Sequence, residues 1–420
     1  MKSISQIKQD PKAQKSILIL LKLLKKVMVV FSTIFLNVYI FQALDNNFTI
    51  YLGGLIASIV FAEIFSLIIF SILSKKNAML IYRMSFVFDA ILIILVILIK
   101  TPTLPIIFMF YALQELSNCC FYGPHEIGEM KATSHKDSSK FLSLSTIMTS
   151  IVGVISPFFS GLIVDRLSYT ILFIIVGVVA IIMLIFSFYM KDFDIVSRKL
   201  KIKEFCSKSF KKPHMVSYYF SFLMFRFSTG GTIYTILPVV LFMKTGSEFS
   251  LGTYSSLFAL LTIITLLIFM FVKRKKIFTC VSVALICLSC LVLSIWSTFI
   301  VFVIFNAIYY SFGKIYENEI FSTRLNVIKT NELSMYKKEH HVMYDIFANI
   351  GYLCGYLFIM LLYNVIKLAN ALTIIIGILG MLMIVSLILL LRAQKYYQFE
   401  LLKEEINYDI DRDSKQNFQN

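Results

Sequence analysis

Along this chain the apolar positions come as long runs, and the polar positions as clusters between them. The runs last about 17–25 residues, enough for a helix to cross the hydrocarbon of a bilayer. Periodicity within the runs adds little. Twelve such segments are predicted, at 27–45, 51–73, 79–99, 104–122, 142–164, 168–190, 215–243, 250–272, 277–295, 298–314, 341–364 and 368–391. The largest polar interruption is KDFDIVSRKLKIKEFCSKSFKKPH, from Lys191 to His214, and it divides the chain into halves of similar plan. The predicted fold is an all-α integral membrane protein of twelve transmembrane helices in two six-helix bundles. Its parts are a basic terminus (1–26), a first bundle (27–190), a basic linker (191–214), a second bundle (215–391) and a tail (392–420).

Composition agrees, since 58% of residues are apolar and only 15% charged. A soluble domain of this length would have to expose large apolar patches. The first run does not read as a cleavable signal, because seven lysines from Lys2 to Lys26 precede it and no small-residue cleavage site follows. A formal charge of +16 raises nucleic acid as a partner. Nearly all of that charge lies between apolar runs, the pattern of cytoplasmic loops, so no nucleic-acid partner is expected. Cys119, Cys120, Cys280, Cys287, Cys290 and Cys354 fall inside the runs without disulfide or zinc spacing, and the CLSC pair reads as packing.

Charge also assigns the sides. Lys75, Lys76 and Arg83, then Lys131, Lys136 and Lys140, the central stretch, Lys273 to Lys276, and Lys314, Arg324, Lys329, Lys337 and Lys338 mark alternate connections as cytoplasmic. The other connections carry only Lys100, Arg166, Lys244 and Lys367, so both termini are expected inside, in a multi-pass protein of the cell membrane. The tail after Arg392 reads as a short helix that frays. The halves echo each other in detail: SNCCFYGPHEI before the fourth-to-fifth connection answers SFGKIYENEIF, and LSKKNAM answers VKRKKIF. A parallel repeat of this kind is the plan of a two-bundle transporter.

Six plus six spans, inside termini and a long basic central loop resemble the major facilitator superfamily, over about Lys26 to Arg392. GVISPFFSG, from Gly153 to Gly161, is similar to the Gly-Pro-rich fifth-helix motif of its exporters. Gly153 and Gly161 permit close helix approach there, and Pro157 permits a bend; a plain packing kink is the other reading. The second-to-third loop departs from the family, because ILSKKNAMLIYR keeps the basic residues and lacks the usual Gly and Asp. No sugar-porter signature follows the sixth span. The resemblance points to bacterial drug, macrolide or siderophore exporters.

A charge at mid-bilayer costs a few kcal/mol and needs a partner, water or a function. Glu63, Asp89, Glu115 and Arg226 lie at comparable depth on spans two, three, four and seven. The resemblance implies that spans one, four, seven and ten line a central cavity, which makes Glu115 and Arg226 the preferred pair for proton coupling or substrate contact, with Glu63 next and Asp89 structural. A permanently paired structural carboxyl remains the alternative for Glu115. Gln114 and Asn118 extend the polar patch of span four toward Tyr122, and Arg226, Gly230, Tyr234 and Pro238 recur every four residues on span seven. Thr33, Asn37 and Gln42 on span one, and Asn306, Tyr309 and Tyr310 on span ten, complete the expected lining, with Asn349 on span eleven divided between lining and packing. Gly351 and Gly355 have the spacing of close helix packing.

Three polar groups invite other chemistry. His340 and His341 at a helix entry read as a solvated interfacial pair rather than a metal site. His125 with Glu126 and Glu129 in a loop lacks a second histidine. No Walker sequence supports ATP drive, and no cofactor is expected. The expected function is secondary transport by alternating access, without enzymatic activity, by a monomer in the lipid bilayer. Proton-coupled export of a small amphiphilic or hydrophobic compound is the first reading. Uptake of a metabolite or peptide, and a transport-inactive scaffold or immunity protein on the same fold, are the alternatives. Anionic lipid head groups are a secondary partner for the basic linker.

Overall fold

A computed structural model describes residues 8–73, 78–99, 101–132, 138–191, 201–228, 232–328, 333–366 and 371–417. Lys2, Lys75, Lys76, Lys100, Lys136, Gly230, Lys329 and Lys367, and 192–200 of the central stretch, lie outside these. The side chains of Glu126, Lys131, Lys140, Lys337 and Lys338 also lie outside the described set.

The described residues form helices and no strand, because a helix satisfies its own backbone where lipid offers no partner. Among the described residues ten helices are long and apolar enough to cross a membrane: Phe48–Ile69, Ala78–Leu98, Leu104–His125, Ser145–Arg166, Tyr169–Phe188, Glu248–Phe271, Lys275–Ile295, Phe299–Arg324, Glu339–Val365 and Ala371–Glu400. They correspond to the predicted spans two to six and eight to twelve. Spans one and seven are the two that fall short as single apolar helices. Span one runs as Pro11–Val30, a π-helical stretch Phe31–Leu36, and Asn37–Ala43, with Asp10 capping its start through Lys12 and Ala13 N–H groups. Span seven is Pro213–Ser228 and then Tyr234–Thr245, a helix of 12 residues. At 1.5 Å per residue the latter covers about 18 Å, too little to cross alone.

Three elements differ in length from expectation. The helices of spans four and ten continue to Ala132 and Val327, roughly three turns past the predicted ends, the former through Gly123, Pro124 and Gly128 despite their poor helix propensity. The tail is no short helix: Met383–Asn417 runs unbroken for 35 residues.

The chain divides into two compact units, and neither is continuous in sequence. The first comprises Met1–Lys199, Tyr234–Leu267 and Tyr356–Leu372; the second comprises Leu200–Ile233, Ile268–Gly355 and Thr373–Asn420.

In the first unit an aromatic core joins spans one, three, four and six. Phe31 and Tyr39 meet Phe173 edge-on at 5.5 and 5.1 Å, and Tyr82 packs against Phe86 and Phe121 at 5.0 and 5.3 Å. In the second unit spans seven, ten and twelve are tied by hydroxyls. Ser221 Oγ donates to the Ser386 carbonyl at 2.8 Å, Ser386 Oγ donates back to the Ser221 carbonyl at 2.7 Å, and Tyr316 OH lies 2.8 Å from Ser386 Oγ. Gly377 and Gly380 let span twelve press onto Ser294 and Cys290 of span nine, which is the packing role expected for the CLSC segment. Outward-facing positions such as Leu98, Phe271 and Val365 are exposed and apolar, as a lipid solvent requires.

Candidate transport sites

Among the described residues each unit contains a buried charge cluster on its spans. In the first, Lys25 Nζ lies 2.9 and 3.1 Å from the two Asp89 carboxylate oxygens and donates to Ser117 Oγ at 2.7 Å. Ser117 Oγ in turn lies 2.6 Å from Asp89 Oδ1 and 3.0 Å from the Ser85 carbonyl. The Lys25 and Asp89 side chains are 4% and 5% exposed, so neither charge is screened by water. Asp89 therefore stands in a structural ion pair. The hydrophobicity of the runs drew attention away from Lys25, which belongs by composition to the basic terminus; the helix from Pro11 carries it inward. The signal was present in the demand that a mid-span Asp89 find a cation.

Glu115 lies two residues before Ser117 on span four. It is half-buried, hydrogen-bonds Asn118 and feels the charge of Lys25. Lys25, Ser32, Asp89, Gln114 and Asn118 line a cavity of about 10 Å³, the size of one water molecule. Gln114 Oε1 is buried without a hydrogen-bond partner. Beside it, the π-helical stretch of span one frees backbone geometry at Thr33 and Asn37; Thr33 Oγ1 turns back to Val29, and Asn37 receives Tyr111 OH at 3.4 Å. Glu63 sits half-buried in the middle of span two.

In the second unit Arg226 is held from several sides. It donates to Tyr352 OH at 2.9 Å, lies 3.9 Å from Glu317, and places its guanidinium 5.0, 5.4 and 5.4 Å from the rings of Phe222, Phe225 and Tyr352. Lys314 shares Glu317 at 2.6 Å, so the SFGKIYENEIF segment feeds this cluster. Gly351 makes room for it: an added Cβ there would lie 2.6 Å from the Leu223 carbonyl and 2.8 Å from Arg226 Cβ. Gly355 presses likewise on Thr232 and Phe227. Thr232 Oγ1 donates to the Arg226 carbonyl at 2.8 Å. Of the recurrence predicted from Arg226 to Pro238, Gly230 lies outside the described residues. Asn306 is buried and donates to Phe302, Tyr309 stacks on Phe305 at 5.6 Å, Tyr310 and Asn349 are half-buried, and Tyr234 is exposed. Glu115 belongs to the first unit and Arg226 to the second.

A third group in the first unit lies at the ends that the charge pattern assigns to the outside. Gln42 donates to Glu248 at 3.1 Å, Tyr169 OH lies 3.5 Å from the same carboxylate, and Thr49 bonds Asn364 at 3.1 Å. Glu248 opens its helix after Gly246, whose φ of +63° favours glycine, and its charge suits the helix N-terminus. Gly161 touches the same turn: a Cβ on it would lie 2.7 Å from the Glu248 carbonyl and 3.0 Å from Gly252 Cα. The GVISPFFSG segment thus supplies a glycine contact between spans five and eight, while Gly153 meets only the Lys26 side chain at 3.4 Å.

The histidines differ from expectation. His340 is no solvated residue: it is buried and bonded to Tyr219 OH at 2.6 Å, and His341 contacts Arg324. His125 is on a helix, buried, 2.9 Å from Tyr82 OH and 3.3 Å from Glu129, because span four continues past its apolar run. Among the described residues no group of three metal-ligating side chains occurs.

The family profile described as Major Facilitator Superfamily matches residues 26–316. The chain belongs to the Major Facilitator Superfamily. This facilitator is accordingly a multi-pass membrane transporter, and its bilayer and small-molecule partners follow from membership. No curated protein matches it in sequence. Solved structures share its fold. A bacterial homologue of the human lysosomal transporter Spinster is 12% identical with a TM-score of 0.63, covering 93% of this chain and 96% of its own. The nucleoside transporter NupG is 13% identical at 0.67, covering 93% and 99%. A structure described for substrate recognition in proton dependent oligopeptide transporters is 10% identical at 0.68, also covering 93% and 99%.

Proposed function

We propose that this facilitator exports a small amphiphilic or hydrophobic compound in exchange for protons, by alternating access, with Glu115 as the proton-carrying carboxyl. The observation that carries the reading is the position of Glu115: a half-buried acid beside a fully paired Lys25–Asp89–Ser117 cluster. Because Asp89 already balances Lys25, a charge on Glu115 is a surplus charge, and gaining or losing one proton there changes the net charge of the site. A carboxyl whose ionised form is disfavoured by desolvation and favoured by a nearby cation is suited to take up and release a proton. The glycine and Glu248 contacts at the outer ends support a closure that forms and breaks as access alternates. We further propose cytoplasmic termini, residence in the cell membrane, action as a monomer, and bundles at 27–190 and 215–391 joined by the 191–214 linker.

A second reading, uptake of a metabolite or peptide bearing a carboxylate, draws on Arg226. Its guanidinium is planar, lies 3.9 Å from a carboxylate that Lys314 shares, and has the fork geometry that recognises an anionic group. Proteoliposomes with an imposed proton gradient and a panel of labelled compounds separate the readings. Gradient-driven export lost in Glu115→Gln supports the first. Unchanged gradient-dependent transport in that variant sinks the assignment of Glu115, and uptake of anionic compounds lost in Arg226→Gln establishes the second. Absence of transport across a broad panel supports the scaffold alternative.

A further inference from the structure

A groove of about 520 Å³ lies in the second unit between the first half of span seven and span twelve. That volume is in the range of small-molecule ligand clefts. Pro213, Val216, Phe220 and Met224 form one wall, and Val385 and Leu389 the other. Phe210, Lys211 and Arg392 stand at one end, the end that the charge pattern assigns to the cytoplasm. We propose that this groove binds an anionic phospholipid, with one acyl chain along the wall residues and the phosphate held by Lys211 and Arg392.

Three features support that occupant. The walls are apolar and open sideways: Phe220 and Val385 are 46% and 41% exposed, as are the neighbouring Ile384 and Ile388 at 44% and 60%. In a bilayer such a surface faces acyl chains. From Arg392 to Val385 the helix descends about 10 Å, so a ligand spanning the groove must be charged at one end and apolar for that depth. The positive end is also left unneutralised. Lys212 beside it is tied to Glu400, yet no described carboxylate pairs with Lys211, Arg392 or Lys395, and Lys395 follows Arg392 by one turn. Arg392 is steadied by Tyr396, whose hydroxyl lies 3.3 Å away, so a donor fork is already positioned for a phosphate. A free anion would leave the apolar walls unused, and an uncharged lipid would leave the cations unused.

The test uses the full chain with its single tryptophan moved. Trp296→Phe combined with Phe220→Trp puts the only tryptophan in the groove, and the protein is reconstituted with brominated phosphatidylglycerol or brominated phosphatidylcholine. Two cations at the membrane surface predict quenching at about thirtyfold lower mole fraction of the anionic lipid, a preference weakened by salt. Lys211→Gln with Arg392→Gln removes that preference while leaving the fold intact, because both side chains are exposed. Equal quenching by both lipids means an ordinary annulus and overturns the proposal, as does a preference that survives the double substitution or an absence of quenching by either lipid.

Discussion

Lys25→Met tests the central cluster. The substitution keeps the length of the side chain but removes the cation that bonds both Asp89 oxygens and Ser117. Asp89 then retains only Ser117, at 2.6 Å, in a site where its own side chain is 5% exposed. Removing one member of a buried ion pair costs about 3–5 kcal/mol, because the remaining charge is left uncompensated. At about 2–4 °C per kcal/mol for large domains, the midpoint should fall by roughly 6–20 °C. Lys25→Met with Asp89→Leu should recover most of that loss, since Ser117 keeps the Ser85 carbonyl as acceptor and no polar atom is orphaned. The assay is heating in detergent followed by size-exclusion chromatography of wild type, both single variants and the double, read as a double-mutant cycle. A Lys25→Met midpoint within about 2 °C of wild type, or a double variant no better than the single, refutes the pairing as a source of stability.

Gly161→Leu would drive a side chain into the Glu248 carbonyl and Gly252 backbone; it should cost about 1–3 kcal/mol and raise thiol-reagent access to a cysteine at Gln42, whereas Gly153→Ala should be near neutral on both measures. Arg226→Lys exchanges a planar fork over three rings for a point charge, and a thermal shift equivalent to about 1–2 kcal/mol is expected, largely absent in a Tyr352→Phe background if that contact dominates. In the linker helix Ile202–Ser209, the hydrogen bond from Tyr336, with those from Lys201 and Lys208, holds the Glu204 carboxyl down at about 2. A depressed carboxylate contributes to docking above the ordinary range and loses that contribution as pH falls through its folded value, so hydrogen-exchange protection of the linker should persist from about pH 7 to about pH 4. Loss of protection between about pH 6 and pH 5 contradicts this assignment.

The amino-acid sequence determined the solvent and the plan. Long apolar runs admit only helices in lipid, and the ten apolar enough to cross were legible because hydrophobicity is a local property, while the ends of spans four and ten, which run on into polar sequence, were not. The family was legible as well, from span count, loop charge and the fifth-span motif. What depends on which side chains meet was not. Lys25 lies near Asp89 through the packing of spans one, three and four, and its composition alone places it in a basic terminus. His125 reads as a loop residue and His340 as a solvated one because they flank apolar runs, and helices that outlast those runs bury them against Tyr82 and Tyr219. The π-helical stretch of span one, and the close approach of Gly161 to Gly252, likewise arise only when helices are pressed together, since a glycine or a polar residue carries no record of the surface that will face it.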